Sequence, residues 1–468
     1  SDPVRSALGF SRAEHLMRRA IPGWAAAALL LGFLLACGRE DTGPPEPAGA
    51  AAKPPGSGRV LVIAVDGASG WLIESMRSDG LLPNLDAIAR EGSSGVARPT
   101  GFLLSPRIWT TVATGKLPAK HGIENWVKQG AGDQPELYSS LDRKVRAVWN
   151  ILSDVGYSVG VVNWLMTQPT EAVNGVMVSD HAPMGQAADA RATAAVARRK
   201  PELAGLGAVR VEEVPFTFPA TWSPRLEALR EGEPVVEVPK PFEETPPWGD
   251  GGSIRKFLQR MVRNDEFVAR VALEIDREIH PDLLLVYLPG LDRVSHLLWY
   301  SVDPMGANTG EKPGARLARG VHGKELRLYY RYVDALIGRF LEGRDEDDLV
   351  IVLSDHGFEL AGNEAQPMGT HVSHEARDGI FYVKGRGVPR GRSDLLVRMA
   401  DVTPTILAWM GLPTASDMDG APAGFIALPD SGRVASYEGA PKPALGSGRR
   451  EEAESRLIDD LKRLGYVE

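Results

Sequence analysis

Apolar residues follow two rhythms along this chain. Val60-Leu61-Val62-Ile63-Ala64-Val65, Leu283-Leu284-Leu285-Val286-Tyr287-Leu288 and Leu349-Val350-Ile351-Val352-Leu353 are short unbroken runs, rich in branched side chains. Such runs read as strands buried on both faces. Ser158 to Asn163 is a fourth, weaker run. Between them the apolar period changes. Phe257, Met261, Val268, Val271 and Ile275 recur at helical spacing within 256–279, and Glu325 to Leu341 is a second amphipathic stretch. Pro83 to Arg90, with proline near its start and Gly92 beyond its end, is also predicted helical, as is Arg143 to Asp154. Helices alternating with fully apolar strands predict an α/β fold, a three-layer α/β/α sandwich around a mostly parallel central sheet. Residues 183–255 are rich in Pro, Glu and Arg and break the rhythm, so an inserted cap is expected there. Folded structure is expected over 59–430. The tail 431–468 carries a surface amphipathic helix from Glu451 to Leu464.

The N-terminal pattern differs. Met17-Arg18-Arg19 precedes the apolar stretch Gly23 to Cys37, which is short for a membrane span. A basic start, a short apolar stretch and a small residue at its end read as an export signal. Leu34-Leu35-Ala36-Cys37 resembles the lipobox of bacterial lipoproteins, which implies cleavage before Cys37 and lipidation of its thiol. Residues 1–16 then lie upstream of an initiator at Met17. Residues 38–58 are rich in Pro, Gly and Ala and read as a flexible tether. The expected location is the bacterial cell envelope, lipid-anchored on the periplasmic or extracytoplasmic side. Cys37 is the sole cysteine of 468 residues, so no intrachain disulfide can form. The formal charge of −8, with cations spread along the chain, argues against nucleic acid as a partner.

Candidate chemistry gathers where strands end. The first run leads into Asp66-Gly67, the second into Asp292-Arg293-Val294-Ser295-His296, and the third into Ser354-Asp355-His356-Gly357-Phe358. Gly369-Thr370-His371-Val372-Ser373-His374 follows. Asp292 and His296 stand four apart and would share one face of a helical turn. Carboxylate oxygens and imidazole nitrogens are ligands for zinc and similar divalent ions. Ser105 precedes Pro106 at a predicted helix start. There it can serve as N-cap, and the helix dipole favours an anion. Its hydroxyl is a poor nucleophile unless a base or a metal activates it.

As an ordered set, these residues resemble the alkaline phosphatase superfamily, and within it the type I phosphodiesterase/nucleotide pyrophosphatase-like branch. The matching residues are Val65-Asp66-Gly67, Ser105-Pro106, Trp109-Thr110, Thr114-Gly115-Lys116, His121-Gly122-Ile123, Asp292 to His296 with Trp299, Ser354 to Gly357, Gly369-Thr370-His371 before Asp378 to Phe381, Asp401 to Leu407, Gly411-Leu412-Pro413 and Asp417 to Gly420. The resemblance implies two divalent ions, zinc by preference. Asp66, Ser105, Asp355 and His356 would hold one ion. Asp292, His296 and a third histidine would hold the other, His371 being preferred and His374 its rival. Asp355 and His356 would then be adjacent because both hold the ion that activates Ser105.

The chain also departs from that branch. Many relatives place threonine at the nucleophile and Asn three residues later, where this chain has Ser105 and Ile108. Asn125 lies near a second phosphate-binding Asn of the relatives, with Trp126 contesting the position, and Arg107 could replace lost oxygen contacts. Sulfatases need Cys or Ser two residues before a proline, but Leu104 stands there. Ser105 lacks a Gly-x-Ser-x-Gly elbow. The implied activity is hydrolysis of a small-molecule or lipid phosphate ester through a phosphoserine, with diesters or nucleotide pyrophosphates favoured. The alternatives are a phosphomonoesterase of the same superfamily and a non-catalytic envelope-binding lipoprotein.

Overall fold

The computed structural model describes residues 58–128, 137–184, 216–240, 251–302, 324–363, 366–374 and 376–439. The export signal, Cys37, residues 38–57 of the tether and the C-terminal helix expected at 451–464 lie outside the described residues. Among the described residues, no helix is long and apolar enough to cross a membrane.

The strands are β1 (Val60–Val65), β2 (Ser93–Arg98), β3 (Val159–Val162), β4 (Gly175–Val178), β5 (Thr217–Phe218), β6 (Leu283–Leu288), β7 (Leu349–Leu353), β8 (Glu359–Asn363), β9 (Gln366–Thr370), β10 (Gly379–Lys384), β11 (Arg392–Arg398), β12 (Thr414–Ala415) and β13 (Arg433–Val434). Nine of them form one sheet in the order β11-β2-β10-β7-β1-β6-β3-β4-β5. From β7 to β4 every pairing is parallel. β10 runs antiparallel to both β7 and β2, and β5 antiparallel to β4 at the far edge. Val60 pairs with both Leu283 and Leu349, so β7, β1 and β6 run in step and their carboxyl ends are level.

Alternation along these strands feeds two cores. Leu61, Ile63 and Val65 of β1 face one side with Leu284, Val286 and Leu288 of β6, where Leu72, Leu85, Val268 and Leu336 of the covering helices meet them. Val60, Val62 and Ala64 face the other side with Leu283, Leu285 and Tyr287, against Ile108, Trp109, Ile151 and Ile406. Each large aliphatic side chain buried in this way contributes about 1.5–3 kcal/mol. The architecture is thus a mixed α/β fold with a mostly parallel sheet covered by helices on both faces, the arrangement the unbroken apolar runs predict.

Several expectations change. The helix expected over Arg143–Asp154 spans only Val148–Asp154. Asn150 accepts the Ala147 N–H at 2.9 Å, and Arg143 is drawn into a buried ion pair with Glu171 at 2.6 Å, which holds the preceding residues out of helical register. The expected cap at 183–255 is described only in part, because 185–215 and 241–250 lie outside the described residues. What is described joins the body of the fold: β5 extends the main sheet, and the helix Ser223–Arg230 packs on the helix Gly251–Ile279. The domain also continues past 430. β13 pairs with β12, and Glu438 meets the buried Lys116 ammonium at 2.8 Å. A buried ammonium is tolerated only with such partners, and Asp417 supplies the other at 2.7 Å.

Candidate active site

The level ends of β7, β1 and β6 bring the candidate residues together. Asp66 directly follows β1, and its N–H donates to the Leu288 carbonyl of β6 at 3.1 Å. Asp355 and His356 follow β7. After β6 the chain enters the helix Gly290–Leu298, where Asp292 and His296 share a face, with His296 Nε2 3.5 Å from Asp292 Oδ1. The β8–β9 hairpin then delivers His371. Its ring stacks on His356 with centroids 3.8 Å apart. This rim of a parallel sheet is where α/β folds place ligands.

Burial is nearly complete. Asp66, Ser105, Asp292, His296, Asp355, His356 and His371 are each 5% exposed or less. Two sets of three could each hold a metal ion: Asp66 with Asp355 and His356, and Asp292 with His356 and His371. His356 belongs to both, with Nε2 3.4 Å from Asp66 Oδ1 and from Asp355 Oδ2, and 3.9 Å from Asp292 Oδ1. His296 borders the second set through Asp292. His374 is exposed, and its carbonyl accepts the Arg377 N–H at 3.3 Å. The fold therefore brings His371, and not His374, to the cluster.

Hydrogen bonds fix how these groups are presented. Carbonyl oxygens only accept, so His296 Nδ1–H donates to Gly369 and His356 Nδ1–H to Gly357, both at 3.0 Å. Each Nε2 lone pair is then left facing the carboxylates, the orientation a metal-ligating histidine takes. Burial pushes the imidazolium pKa of His356 down, that of His371 well down and that of His296 to about 3. The three rings are therefore neutral near pH 7 and able to bind metal. Burial, with Asp66 and Asp292 close by, pushes the Asp355 carboxyl well above the usual carboxylate range. Asp355 Oδ2 and His356 Nε2 are buried without a hydrogen-bond partner. Stranded acceptors beside crowded carboxylates are costly unless a cation sits among them. The donor set fits divalent metal ions.

Ser105 is the first residue of the helix Ser105–Thr114. The N-cap falls one residue earlier than expected, on Leu104, whose carbonyl takes the first helical bond from Ile108 at 3.1 Å. Ser105 Oγ lies 3.4 Å from Asp66 Oδ1. Asp66 Oδ2 is held by Trp109 Nε1 at 3.1 Å and by the Tyr287 hydroxyl. Neither anchor was among the expected site residues. The visible signal for Tyr287 was a lone hydroxyl in an otherwise aliphatic strand. Arg107 packs its guanidinium against Gly101, where a Cβ would stand 2.8 Å from it. Asn125 turns onto its own backbone, its Oδ1 accepting the Trp126 N–H at 2.7 Å. The structure does not bring either side chain to the carboxylates.

A family model described as type I phosphodiesterase / nucleotide pyrophosphatase matches residues 60–393. A search of curated proteins finds no match. Among solved structures, human ectonucleotide pyrophosphatase/phosphodiesterase 5 is 12% identical over 78% of this chain and 97% of that one, with a TM-score of 0.42. The phosphonate monoester hydrolase of Silicibacter pomeroyi is 15% identical over 78% of this chain and 75% of that one, with a TM-score of 0.42. A putative sulfatase of Bacteroides thetaiotaomicron is 12% identical over 78% and 73%, with a TM-score of 0.43.

Proposed function

Given that the chain belongs to the type I phosphodiesterase/nucleotide pyrophosphatase family, and so is a hydrolase of phosphoric ester bonds, we propose that it cleaves phosphodiesters or nucleotide pyrophosphates through a phosphoserine on Ser105. In this reading Asp66, Ser105, Asp355 and His356 hold one zinc ion and Asp292, His296 and His371 the other. The observation that carries it is one contiguous buried cluster, bridged by His356, with Ser105 Oγ 3.4 Å from Asp66.

When bound, the ions supply Lewis acidity, lowering the hydroxyl pKa of the nucleophile and screening the charge of phosphorus oxygens. The chain's own residues do the rest. The helix start places Ser105 Oγ at the rim and directs its dipole at an anionic substrate. Trp109 and Tyr287 hold Asp66 still, so the serine and its neighbouring carboxylate keep a fixed spacing. Ser105 Oγ attacks phosphorus, the ester alcohol departs, and water then cleaves the phosphoserine. The buried rings of His296, His356 and His371 remain neutral ligands across the working pH range.

The test compares bis-p-nitrophenyl phosphate with p-nitrophenyl phosphate as substrates of the zinc-loaded protein. We expect faster turnover of the diester, lost on chelation and reduced about 10³-fold or more in Ser105→Ala. Faster turnover of the monoester would make the protein a phosphomonoesterase. Diester turnover that survives Ser105→Ala would remove the phosphoserine from the mechanism.

A further inference from the structure

A single exposed hydrophobic side chain is ordinary on a protein surface, but several around one site ask for an explanation. Among the described residues, five large hydrophobic side chains are exposed: Trp71, Phe102, Leu141, Val372 and Leu396. Three of these five stand within five positions of a cluster residue. Trp71 is five after Asp66, Phe102 three before Ser105, and Val372 directly follows His371. They belong to three separate segments: the helix Gly70–Ser78, the loop before Ser105, and the chain leaving β9. No single strand or helix period therefore puts them on the surface together.

Contacts tie all three to the cluster. The Trp71 ring meets Trp299 edge-on with centroids 6.1 Å apart, Trp299 leans on Phe358 at 5.4 Å, and Phe358 meets His371 at 5.4 Å. Trp299 and Phe358 are buried, so Trp71 is the exposed end of an aromatic row that starts at the cluster. The Leu103 backbone, next to Phe102, lies beside the His371 ring. His371 is 3% exposed, whereas Val372 is 82% exposed. Apolar surface left in water is unfavourable, and its place beside Ser105 gives it an occupant: the part of the substrate that does not react. Phe102 and Val372 carry no hydrogen-bonding side-chain atom, and Trp71 carries one N–H. They offer little to a sugar or to a second phosphate, and they suit an alkyl or acyl chain.

We propose that Trp71, Phe102 and Val372 form an apolar collar beside the cluster that receives a hydrophobic ester group of the substrate while the reacting phosphorus lies at the cluster. The proposal rests on the phosphohydrolase reading for the reacting group. It narrows the substrate class to phosphodiesters in which one alcohol carries an alkyl or acyl chain. The collar residues are specificity determinants and take no part in bond cleavage.

The test measures kcat/KM of the zinc-loaded full chain on the methyl, butyl and octyl esters of p-nitrophenyl phosphate. A buried methylene is worth roughly fourfold in binding, so the octyl ester is expected to exceed the methyl ester at least tenfold. Phe102→Ser combined with Val372→Ser should cut that ratio to threefold or less. Trp71→Ala should lower it, and Trp71→Phe should keep most of it. Calorimetry on the Ser105→Ala protein should show octyl phosphate binding more tightly than methyl phosphate, with the same loss in the collar variants. The octyl ester is assayed below and above its critical micelle concentration. A preference present below it assigns the chain to a single bound molecule, and one that arises only above it assigns the chain to a lipid surface; both support the collar. An octyl-to-methyl ratio near one, a ratio that survives the substitutions, or faster cleavage of the thymidine 5′-ester of p-nitrophenyl phosphate than of the octyl ester overturns it. The hydrolysis reading is judged separately. Cleavage of all esters without regard to chain length keeps the hydrolase and removes the collar, whereas tight octyl phosphate binding with no ester cleaved keeps the collar and removes the hydrolase.

Discussion

Asp265 is a buried carboxyl that no motif marks, yet it bears on the site. It is 0% exposed, its Oδ2 receives the Tyr329 hydroxyl at 2.7 Å, and it packs so closely on Gly290 that a Cβ there would stand 2.3 Å from Oδ2, at the start of the helix that carries Asp292 and His296. Its folded pKa of about 7 lies above the unfolded value, so between roughly pH 4 and pH 7 the folded state holds the proton more tightly. The stabilisation this gives is complete below pH 4 and disappears as pH rises through 7, an effect of about 4 kcal/mol at most. Asp265→Asn should therefore flatten the fall in urea midpoint of the chelated protein between pH 5 and 8. A slope unchanged from wild type would show that Asp265 does not titrate there. Such residues were illegible in the sequence because their partners are distant: Tyr329 is 64 positions from Asp265, and Tyr287 is 221 from Asp66. The expected ligands were legible because each sits within a few residues of a strand end, so local pattern alone placed them near one rim.

Among elements, the helix Gly290–Leu298 depends most on a close approach. A Cβ on Gly290 would stand 2.0 Å from the Tyr329 hydroxyl and 2.3 Å from Asp265 Oδ2. Gly290→Ala must push the helix start away from both, at a cost of about 1–3 kcal/mol, and carry Asp292 and His296 with it. We expect a lower urea midpoint and weaker zinc binding in titrations. A change below about 0.5 kcal/mol in stability would mean the helix shifts without strain. In the sequence Pro289-Gly290 looked only like the end of a strand. Where one period dominates, limits were readable: β1, β6 and the helix Glu325–Leu341 have the bounds the apolar pattern predicts. β2 (Ser-Ser-Gly-Val-Ala-Arg) and the β8–β9 hairpin lack a sustained apolar period, so neither stood out. The helix before β3 was overextended because its apolar spacing continues through residues that an ion pair holds in a loop.

For the molecule as a whole, the lipid anchor proposed at Cys37 lies outside the described residues. Among the described residues, structure begins at Gly58, about twenty residues after the cysteine. Fatty-acid labelling of cells producing the full chain should mark the protein, and Cys37→Ser should abolish the label while leaving zinc-dependent hydrolysis intact. A Cys37→Ser protein that keeps its label would place the lipid elsewhere or remove it from the account. The sequence suggested a tail beginning at 431, because it could not show that Lys116 would be buried and in need of Glu438. The order of the sheet sets the timing of assembly. β1 is made first and lies at the centre, but both its neighbours come from far downstream, and Gly67 and Asp355 are 288 positions apart. At ribosomal speeds of about 5–20 residues per second, that separation amounts to roughly 15–60 s. β1 keeps both edges bare until β6 (Leu283–Leu288) is made and one edge bare until β7 (Leu349–Leu353) follows, and before then no place exists for metal to settle. The rim that gathers the candidate residues is thus among the last features the nascent chain can acquire.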